Sequence, residues 1–385
     1  MPVPFHRHEL EPADAAAVAD VLATPFLTSG RVGAAVEEQI AEFLGLPHVL
    51  LTNSWTNGAI ATLLALGIGP GDEVIVPAMT FIATANVVRL VGATPVFVDV
   101  DPDTLMMMAD GLEAAITART RAAIPVHLYG QMAPMRALAA VAARHGIRLI
   151  EDAAHCFEGA RDGARPGALS DAAIFSFYAT KNVTCGEGGA IATRDTDLAA
   201  RIRQTRLHGM SAGAADRFRG GRYRHWDMTR LGTKANLPDL LAALLPAQIA
   251  RVEERRQKRE ALARRYREAL AGFAPDLVLP AWVEGAKHAH HLFPVHVAPH
   301  MRDTLLARLT ESGIGATVNY RAVPQTRYWR DFLGEERAEH DFPVATRWGE
   351  GTFSLPLYPS LGEAEQDEVI ETLARILQEH LPEGA

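Results

Sequence analysis

The chain has 385 residues, of which 48% are hydrophobic and 22% charged, a composition typical of a soluble globular protein large enough for two domains. Its formal net charge of 38 − 46 = −8 gives no electrostatic reason to expect a nucleic-acid partner. Two cysteines, Cys156 and Cys185, are too few for a disulfide framework, and residues 1–24 lack the pattern of a secretory signal. No stretch approaches the roughly 20 apolar residues of a membrane helix. We therefore expect a cytoplasmic protein with no membrane partner.

Predicted strands and helices alternate through the first half of the chain. This alternation predicts an α/β fold with a mostly parallel central sheet that is covered by helices on both faces. After an entry arm and amphipathic helix at 6–27, we expect helices at 32–44, 59–66, 83–91, 111–117 and 135–145, and strands at 49–54, 73–77, 94–100, 122–128, 147–150 and 172–177.

Several polar or aromatic residues come at or just beyond the ends of these strands. Because the carboxyl ends of parallel strands meet at one edge of a sheet, ligands of α/β proteins bind beyond that edge. We therefore expect a single site there, which contains Thr56, Phe81, Asp152, His155, Ser176 and Lys181.

Lys181 follows the buried strand at 172–177 and precedes a glycine-rich loop at 186–189. Burial lowers the pKa of a lysine at the edge of a core, and the neutral amine is a nucleophile for a carbonyl cofactor. A lysine taken at random is more often a surface residue, but the neighbouring sequence argues against that alternative. The apolar strand at 147–150 leads into Asp152, and a carboxylate at this place suits the pyridinium nitrogen of pyridoxal 5′-phosphate (PLP).

The start of the helix at 59–66 is preceded by small and polar residues that suit a phosphate. Free N–H groups at a helix N-terminus favour an anion. Ordinary capping by Ser54, Thr56 or Asn57 would explain the same residues, and the two roles are compatible. The GIGPG loop at 67–71 does not open a helix, so it is not a dinucleotide fingerprint.

The second half of the chain is expected to form a smaller α/β domain. A long charged helix at 247–273 is predicted to lead from a large domain, residues 1–250, into this smaller domain, residues 251–385. Its expected strands lie at 288–297 and 316–325, and its last helix at 363–380.

Two further segments contain residues that could bind a ligand. Residues 210–234, rich in glycine and arginine, read either as a lid over an anionic diphosphate or as a solvated loop. The histidines at 288–291 lack acidic or cysteine partners at ligand spacing, so we expect no metal site. The arginines of the first segment are Arg217, Arg219, Arg222, Arg224 and Arg230.

Three short motifs together resemble the DegT/StrS family of sugar aminotransferases, a branch of the fold-type I PLP enzymes. They are EDAAH at 151–155, SFYATKN at 176–182 and GEGG at 186–189, and the resemblance extends over nearly the whole chain. It implies a fold-type I architecture, PLP as the cofactor and a homodimer with shared active sites.

The resemblance also implies roles for individual residues. Lys181 would bond to the cofactor and then carry the proton, Asp152 would keep the pyridine nitrogen protonated, and His155 would lie near the cofactor oxygen or the nitrogen partner. Phe81 would stack on the ring. The expected phosphate ligands are Thr56, Asn57, Ser176 and Asn236, the last from the neighbouring subunit and with Lys234 as the alternative register.

The implied reaction transfers an amino group from L-glutamate to a nucleotide-linked keto sugar. The motifs resemble most those of enzymes that aminate C4 of UDP- or dTDP-linked 4-keto sugars. Asn319, Tyr320 and Arg321 match substrate contacts of the family. The chain departs from the family where Trp55-Thr56-Asn57 replaces Gly-Thr-Ala and where Pro324 replaces a histidine.

Several alternatives stay open at the level of the sequence. The acceptor could be a 3-keto sugar or an inosose, an aminocyclitol precursor. A sugar dehydratase of the same family would carry histidine in place of Lys181, and a non-catalytic sugar-binding homologue would need neither Lys181 nor Asp152. An NAD-dependent oxidoreductase would need the glycine fingerprint that is missing.

Overall fold

The computed structural model describes residues 2–211, 223 and 225–380. In this part of the chain the α-helices are α1 Pro12–Leu22, α2 Arg31–Leu44, α3 Trp55–Ala65, α4 Ala83–Leu90, α5 Ala109–Ala114, α6 Met135–His145, α7 Thr196–Thr205, α8 Asp239–Ala242, α9 Pro246–Ala250, α10 Val252–Leu270, α11 Pro299–Glu311, α12 Arg327–Leu333, α13 Glu335–His340, α14 Pro343–Gly351 and α15 Glu363–His380. The strands are β1 His48–Thr52, β2 Glu73–Pro77, β3 Thr94–Val98, β4 Thr120–Ala123, β5 Arg148–Asp152, β6 Ala172–Ser176, β7 Gly189–Thr193, β8 Leu277–Val278, β9 Phe293–Val297 and β10 Thr352–Leu355. None of these helices is both long and apolar enough to span a membrane.

The larger sheet has seven strands in the order β1-β7-β6-β5-β4-β2-β3. Strand β7 runs antiparallel to both of its neighbours, and the other four pairs are parallel. Strand β1 therefore points the same way as β2 to β6, and the carboxyl ends of these strands share one edge. The amino end of β7 lies at the same edge. The predicted mostly parallel sheet is confirmed.

Helices cover both faces of this sheet because alternate residues of each strand point to opposite sides. Ala172 and Ile174 of β6 join a core that contains residues of α3, α4 and α7. Ala173 and Phe175 join a different core, formed with α2, α8 and α9. Both sets are apolar and buried, which is why the strand reads as a continuous hydrophobic run rather than an alternating one.

The smaller sheet has three antiparallel strands in the order β10-β9-β8. Its core contains residues of α10, α11 and α15 and also Val3, from the other end of the chain. The Val3 amide donates to the carbonyl of Gly313 at 2.9 Å, and the amide of Gly315 donates to the Val3 carbonyl at 2.8 Å. The N-terminal arm thus packs on the smaller sheet, while a division of the chain near residue 250 stays a prediction.

Four sequence predictions about local structure were wrong in whole or in part. The long helix at 247–273 is interrupted at Arg251, whose φ of −98° and ψ of 1° separate α9 from α10. The strand expected at 122–128 ends at Ala123, five residues early. Residues 316–325 form no strand, and of the segment at 288–297 only the part from Phe293 is extended in the sheet.

Beyond an isolated bridge between Thr317 and Ser354 of β10, the segment at 316–325 is irregular because its polar backbone groups bond elsewhere. The hydroxyl of Tyr129 donates to the carbonyl of Asn319 at 2.6 Å. The amide of Val323 donates to the carbonyl of Ala78, just beyond β2, at 2.8 Å. Buried backbone groups need partners, and here those partners draw the segment to the edge of the larger sheet, where it helps to enclose the site.

Candidate active site

A cavity of about 440 Å³ lies at the edge where the parallel strands end. The structure brings together there all the residues predicted from strand ends, and it adds two of the predicted substrate residues. These lining residues are Thr56, Phe81, Asp152, His155, Ser176, Lys181, Asn319 and Tyr320.

Asp152 is the last residue of β5, and only 5% of its surface is exposed. One carboxylate oxygen accepts from the hydroxyl of Thr84 at 2.8 Å, and the other accepts from the amide of Ala154 at 3.1 Å. Burial raises the pKa of Asp152, although these two hydrogen bonds and the charge of Lys181 act in the opposite direction. No guanidinium of the described residues pairs with this carboxylate, and it lines the cavity, which suits it to a cationic group of a ligand.

Lys181 follows the turn after β6, where its amide donates to the carbonyl of Tyr178 at 2.9 Å. Burial lowers the pKa of its amine to about 8, and the carboxylate of Asp152 opposes this shift. A substantial fraction of the amine is therefore neutral near pH 8, as a nucleophile for a carbonyl carbon must be.

His155 is held between two tyrosines. The amide of Tyr129 donates to its Nδ1 at 3.2 Å, so the proton of the neutral ring lies on Nε2, which is 3.1 Å from the hydroxyl of Tyr320. Burial, followed by the charge of Lys181, lowers the pKa of His155 well below its usual value. The neutral ring therefore presents an N–H group at the wall of the cavity.

Helix α3 starts at the same wall. The hydroxyl of Ser54 caps the helix by accepting from the amide of Asn57 at 3.1 Å, so the capping interpretation is confirmed. A Cβ on Gly189 would lie 2.6 Å from the carbonyl oxygen of Phe175 and 2.9 Å from the amide nitrogen of Trp55. Only glycine lets β7 approach the helix start this closely.

Three of the predicted ligands do not line this cavity. The side chain of Asn57 donates to Oδ1 of Asn53 at 2.9 Å, and the exposed guanidinium of Arg321 donates to the carbonyl of Gln325 at 2.9 Å. The side-chain amide of Asn236 donates to the hydroxyl of Ser29. In this structure the side chains of these three residues therefore make none of the expected phosphate or substrate contacts within the cavity of their own chain.

The backbone contacts of Asn236 and Lys234, the two alternative phosphate ligands, differ. Asn236 forms an isolated bridge with Thr52 at the end of β1, whereas Lys234 forms one with Leu207. The buried Oδ1 of Asn236 has no hydrogen-bond partner among the described residues. Of Lys234 and Asn236, Asn236 is therefore the residue with a hydrogen-bond acceptor available for a ligand beside the larger sheet.

The predicted lid lies mostly outside the described residues. Arg217, Arg219, Arg222 and Arg224 belong to the part of the chain whose structure is not described. Of the arginines named above, Arg230 is described, and its Nε donates to Oε1 of Gln204 at 2.9 Å.

His291 is a residue of this site that the sequence did not reveal. Its Nε2 lies 3.4 Å from the amine of Lys181, although 110 residues separate the two in the chain. Its ring centroid lies 4.5 Å from that of His155. The sequence analysis considered this histidine only as a poor metal ligand, because no local pattern connects a residue before β9 with the turn after β6.

The residues of the cavity fit PLP in charge and in shape. A buried carboxylate suits the pyridinium nitrogen, an amine of lowered pKa suits the aldehyde, and a helix start with Thr56 suits the phosphate. The exposed ring of Phe81 lies 5.6 Å from that of Tyr320 across the opening, which suits a flat heterocycle.

Comparison with known proteins agrees with this assignment. Residues 8–374 match the model of the DegT/DnrJ/EryC1/StrS aminotransferase family. Spr1654 from Streptococcus pneumoniae in its PLP form is 28% identical, with a TM-score of 0.91 over 99% of this chain and 100% of that chain. DesV from S. venezuelae is 34% identical, with a TM-score of 0.89 over 98% and 99% of the two chains.

A third solved structure is that of Helicobacter pylori PseC, an aminotransferase involved in the biosynthesis of pseudoaminic acid. It is 25% identical, with a TM-score of 0.89 over 98% of this chain and 100% of that chain. The match to the family model extends over nearly the whole chain, so the predicted family, fold class and cofactor are confirmed. This chain belongs to the DegT/DnrJ/EryC1/StrS aminotransferase family and is a PLP-dependent aminotransferase.

Proposed function

We propose that the enzyme transfers the amino group of L-glutamate to a nucleotide-linked keto sugar, with a 4-keto-6-deoxy-hexose as the acceptor. L-Glutamate leaves as 2-oxoglutarate, and the keto carbon of the sugar becomes an amine. The observation that carries this proposal is the placement of Lys181 and Asp152 in one cavity with an open aromatic rim. It is supported by the neighbours: Spr1654 is described as a candidate sugar aminotransferase, and PseC acts in pseudoaminic acid biosynthesis.

In both half-reactions Lys181 would transfer the proton, and Asp152 would keep the ring nitrogen of the cofactor protonated. Bound PLP supplies an electron sink that stabilises negative charge on the carbon losing its proton. The amine of Lys181 would take that proton and return it to the neighbouring carbon, and a pKa of about 8 lets it do both near neutral pH. Asp152 would hold a proton on the ring nitrogen by its negative charge.

The phosphate would bind where α3 begins. Thr56 and Ser176 line the cavity there, and Gly189 permits the close approach of β7 to this helix start. The N-terminal end of an 11-residue helix favours an anion. Asn57 would contribute through its place in the first turn, since its side chain is bonded to Asn53.

The sugar would bind at the open side of the cavity. Phe81 and Tyr178 expose 52% and 46% of their surfaces, and both line the cavity. Asn319 adds a buried Oδ1 that has no partner among the described residues, and Tyr320 adds a hydroxyl. We propose that Arg321, which lies outside the cavity, contacts the nucleotide part of the substrate.

We further propose that the enzyme works as a homodimer in which Asn236 reaches the phosphate of the partner's site. Its Oδ1, which has no partner among the described residues, and its absence from the lining of its own chain's cavity support this role. Beside it, Ser29 and Leu237 line a second cavity of about 800 Å³ between α1 and α2, which a partner could fill. Two free, buried cysteines suit a reducing compartment, so we place the enzyme in the cytoplasm.

The activity can be tested in two stages. L-Glutamate alone should yield 2-oxoglutarate in an amount equal to the enzyme sites, and a panel of UDP- and dTDP-linked keto sugars should then return the enzyme to its starting form. Lys181→Ala should abolish both stages, with a loss of about 10⁴-fold, the upper end of what a proton-carrying side chain contributes. No 2-oxoglutarate from the wild-type enzyme would leave a sugar-binding homologue as the better hypothesis. Turnover with 3-keto sugars or an inosose alone would move the acceptor to those classes.

Mixing two inactive variants tests the shared site. If Asn236 serves the partner, a mixed dimer of Lys181→Ala and Asn236→Asp subunits contains one intact site, so mixing should restore activity. If Asn236 serves its own chain, every site in the mixed dimer carries a defect and activity stays absent. Mixing Lys181→Ala with Asp152→Asn is the matched control, because both residues lie in one cavity and no intact site forms without wild-type subunits.

A further inference from the structure

His291 is buried opposite Lys181, on the segment that leads into β9. Only 6% of its surface is exposed, and its Nε2 lies 3.4 Å from the amine of Lys181. Its Nδ1 lies 3.1 Å from Oδ1 of Asn182, the residue that follows Lys181. The histidine therefore connects the amine of Lys181 with the side chain of the next residue.

The contacts of Asn182 determine which nitrogen of His291 is protonated. The side-chain nitrogen of Asn182, Nδ2, donates to Oε1 of Glu158 at 2.8 Å and to the carbonyl of Ala289 at 3.1 Å. Both partners are acceptors, so the amide oxygen of Asn182 must face His291, where it accepts from Nδ1–H. The lone pair of Nε2 is then directed at Lys181, whose amine must be the donor.

A buried ion pair fixes this arrangement from the other side. The guanidinium of Arg259, on α10, pairs with Glu158, and its Nε donates to the carbonyl of Ala289 at 3.2 Å. Arg259 and Glu158 are 2% and 0% exposed. Neither end of the hydrogen-bond chain can turn away without leaving a buried polar group unpaired.

We propose that His291 is a positioning residue for Lys181: its Nε2 accepts a hydrogen bond from the amine whenever that amine is not bonded to the cofactor, and so holds it beside the reacting carbon. The proposal rests on the proposed role of Lys181 as the proton carrier. An acceptor at this place favours the protonated amine, because only the ammonium form must donate there. Without it the amine would lose both its orientation and part of its basicity.

The charges around the pair agree with a neutral His291. Burial lowers the pKa of His291 well below its usual value, and the positive charges of Lys181 and Arg259 act in the same direction, as do His155 and His6. On the other side of the amine, Asp152 favours the ammonium form. His291 therefore acts as an acceptor over the working pH range and does not itself carry the proton.

The test uses cofactor-free protein, so that it does not depend on turnover. The reactivity of Lys181 toward an amine-labelling reagent is measured against pH by mass spectrometry of the peptide that contains it. The wild-type midpoint should lie near 8. His291→Asn keeps the contact with Asn182 and removes the acceptor for Lys181, so its midpoint should fall by about one unit. His291→Gln places an amide oxygen near the position of Nε2 and should restore most of the shift.

His288→Gln is the matched control, since His288 is a partly buried histidine of the same segment that neither lines the 440 Å³ cavity nor contacts Lys181. It should leave the midpoint unchanged. Folded His291→Asn protein with a wild-type midpoint would overturn the proposal, and so would an equal shift in His288→Gln. If His291→Asn fails to fold, a wild-type midpoint in His291→Gln together with a lower one in His291→Leu supports the proposal, and equal midpoints contradict it. A shift seen in an enzyme that does not transaminate would contradict the proposed function and leave the hydrogen bond in place.

Discussion

Asp152 and Glu158 are two buried carboxylates close together in the chain, and their surroundings differ. Glu158 is paired with the guanidinium of Arg259 and accepts from the side-chain Nδ2 of Asn182. Among the described residues, Asp152 accepts from a hydroxyl and a backbone amide, and it lines the cavity. Burial raises the pKa of both groups. A carboxylate whose charge is compensated within the protein maintains the structure, whereas one whose charge is left for a ligand serves the reaction.

Replacing the carboxylate by an amide should therefore lower the stability of the fold at Glu158 and the rate of the reaction at Asp152. Glu158→Gln removes the negative charge and leaves Arg259 buried without its ion-pair partner. Breaking a buried pair from one side typically costs about 3–5 kcal/mol, so the free energy of unfolding should fall by that amount. Urea denaturation of the cofactor-free protein measures it. A loss below about 1 kcal/mol, the range of a surface ion pair, would show that the pair is not structural.

A double variant sharpens this prediction. Glu158→Gln combined with Arg259→Met removes both charges, and replacing a buried pair by groups of similar volume is often close to neutral. The double variant should therefore regain most of the stability that Glu158→Gln loses. If the two losses simply add, the effect of Glu158 does not come from its charge partner.

Asp152→Asn should affect the reaction and spare the fold. An asparagine cannot hold a proton on the pyridine nitrogen, and removal of one such electrostatic contact typically costs about 10²–10³ in rate, or about 2.7–4 kcal/mol. The rate of 2-oxoglutarate formation from L-glutamate measures this loss. An activity within a factor of about three of wild type would contradict the assigned role.

The stability of Asp152→Asn should depend on pH in a defined direction. Because burial raises the pKa of Asp152 in the folded state, its contribution to stability is present below the unfolded pKa and is lost as the pH rises. The variant lacks this loss, so at neutral pH it should be at least as stable as the wild type. Thermal unfolding at several pH values, without cofactor, checks this expectation. A large drop in melting temperature at neutral pH would place Asp152 with Glu158 as a structural carboxylate.

Thr84→Val should give the smallest effect. It removes the hydroxyl that donates to Asp152 at 2.8 Å while keeping nearly the same shape. A lost hydrogen bond to a charged group typically costs about 1.5–3 kcal/mol, and a neutral one about 1 kcal/mol. We expect the rate to fall by about tenfold, with weaker cofactor binding measured by equilibrium dialysis. An unchanged enzyme would mean that Asp152 is oriented by Ala154 alone.

The parts of the site that the sequence predicted correctly are those fixed by the ends of strands. Asp152 and Ser176 are the last residues of β5 and β6, and Lys181 follows the next turn, so the parallel sheet alone brings them to one edge. The roles of Asp152 and Lys181 stay predictions, which the sequence suggested because a carboxylate and a lysine beside apolar strands are unusual.

The parts that the sequence missed depend on contacts between distant segments. His291 and Tyr129 reach the site through irregular backbone, and no periodicity marks them. Residues 316–325 have the composition of a strand, yet beyond one isolated bridge between Thr317 and Ser354 of β10 their backbone bonds to Tyr129 and Ala78. Long-range hydrogen bonds of this kind override local propensity.

The most direct test of the account is to reduce the purified protein with borohydride, before and after incubation with L-glutamate, and to locate the cofactor by mass spectrometry. The account predicts a visible absorption band that borohydride removes, with the mass of the reduced cofactor on the peptide that contains Lys181. Prior incubation with L-glutamate should prevent this labelling, since the amine of Lys181 is then free. A colourless protein that binds no PLP, or the label on a different lysine, would contradict the central claim that Lys181 and Asp152 form the active site.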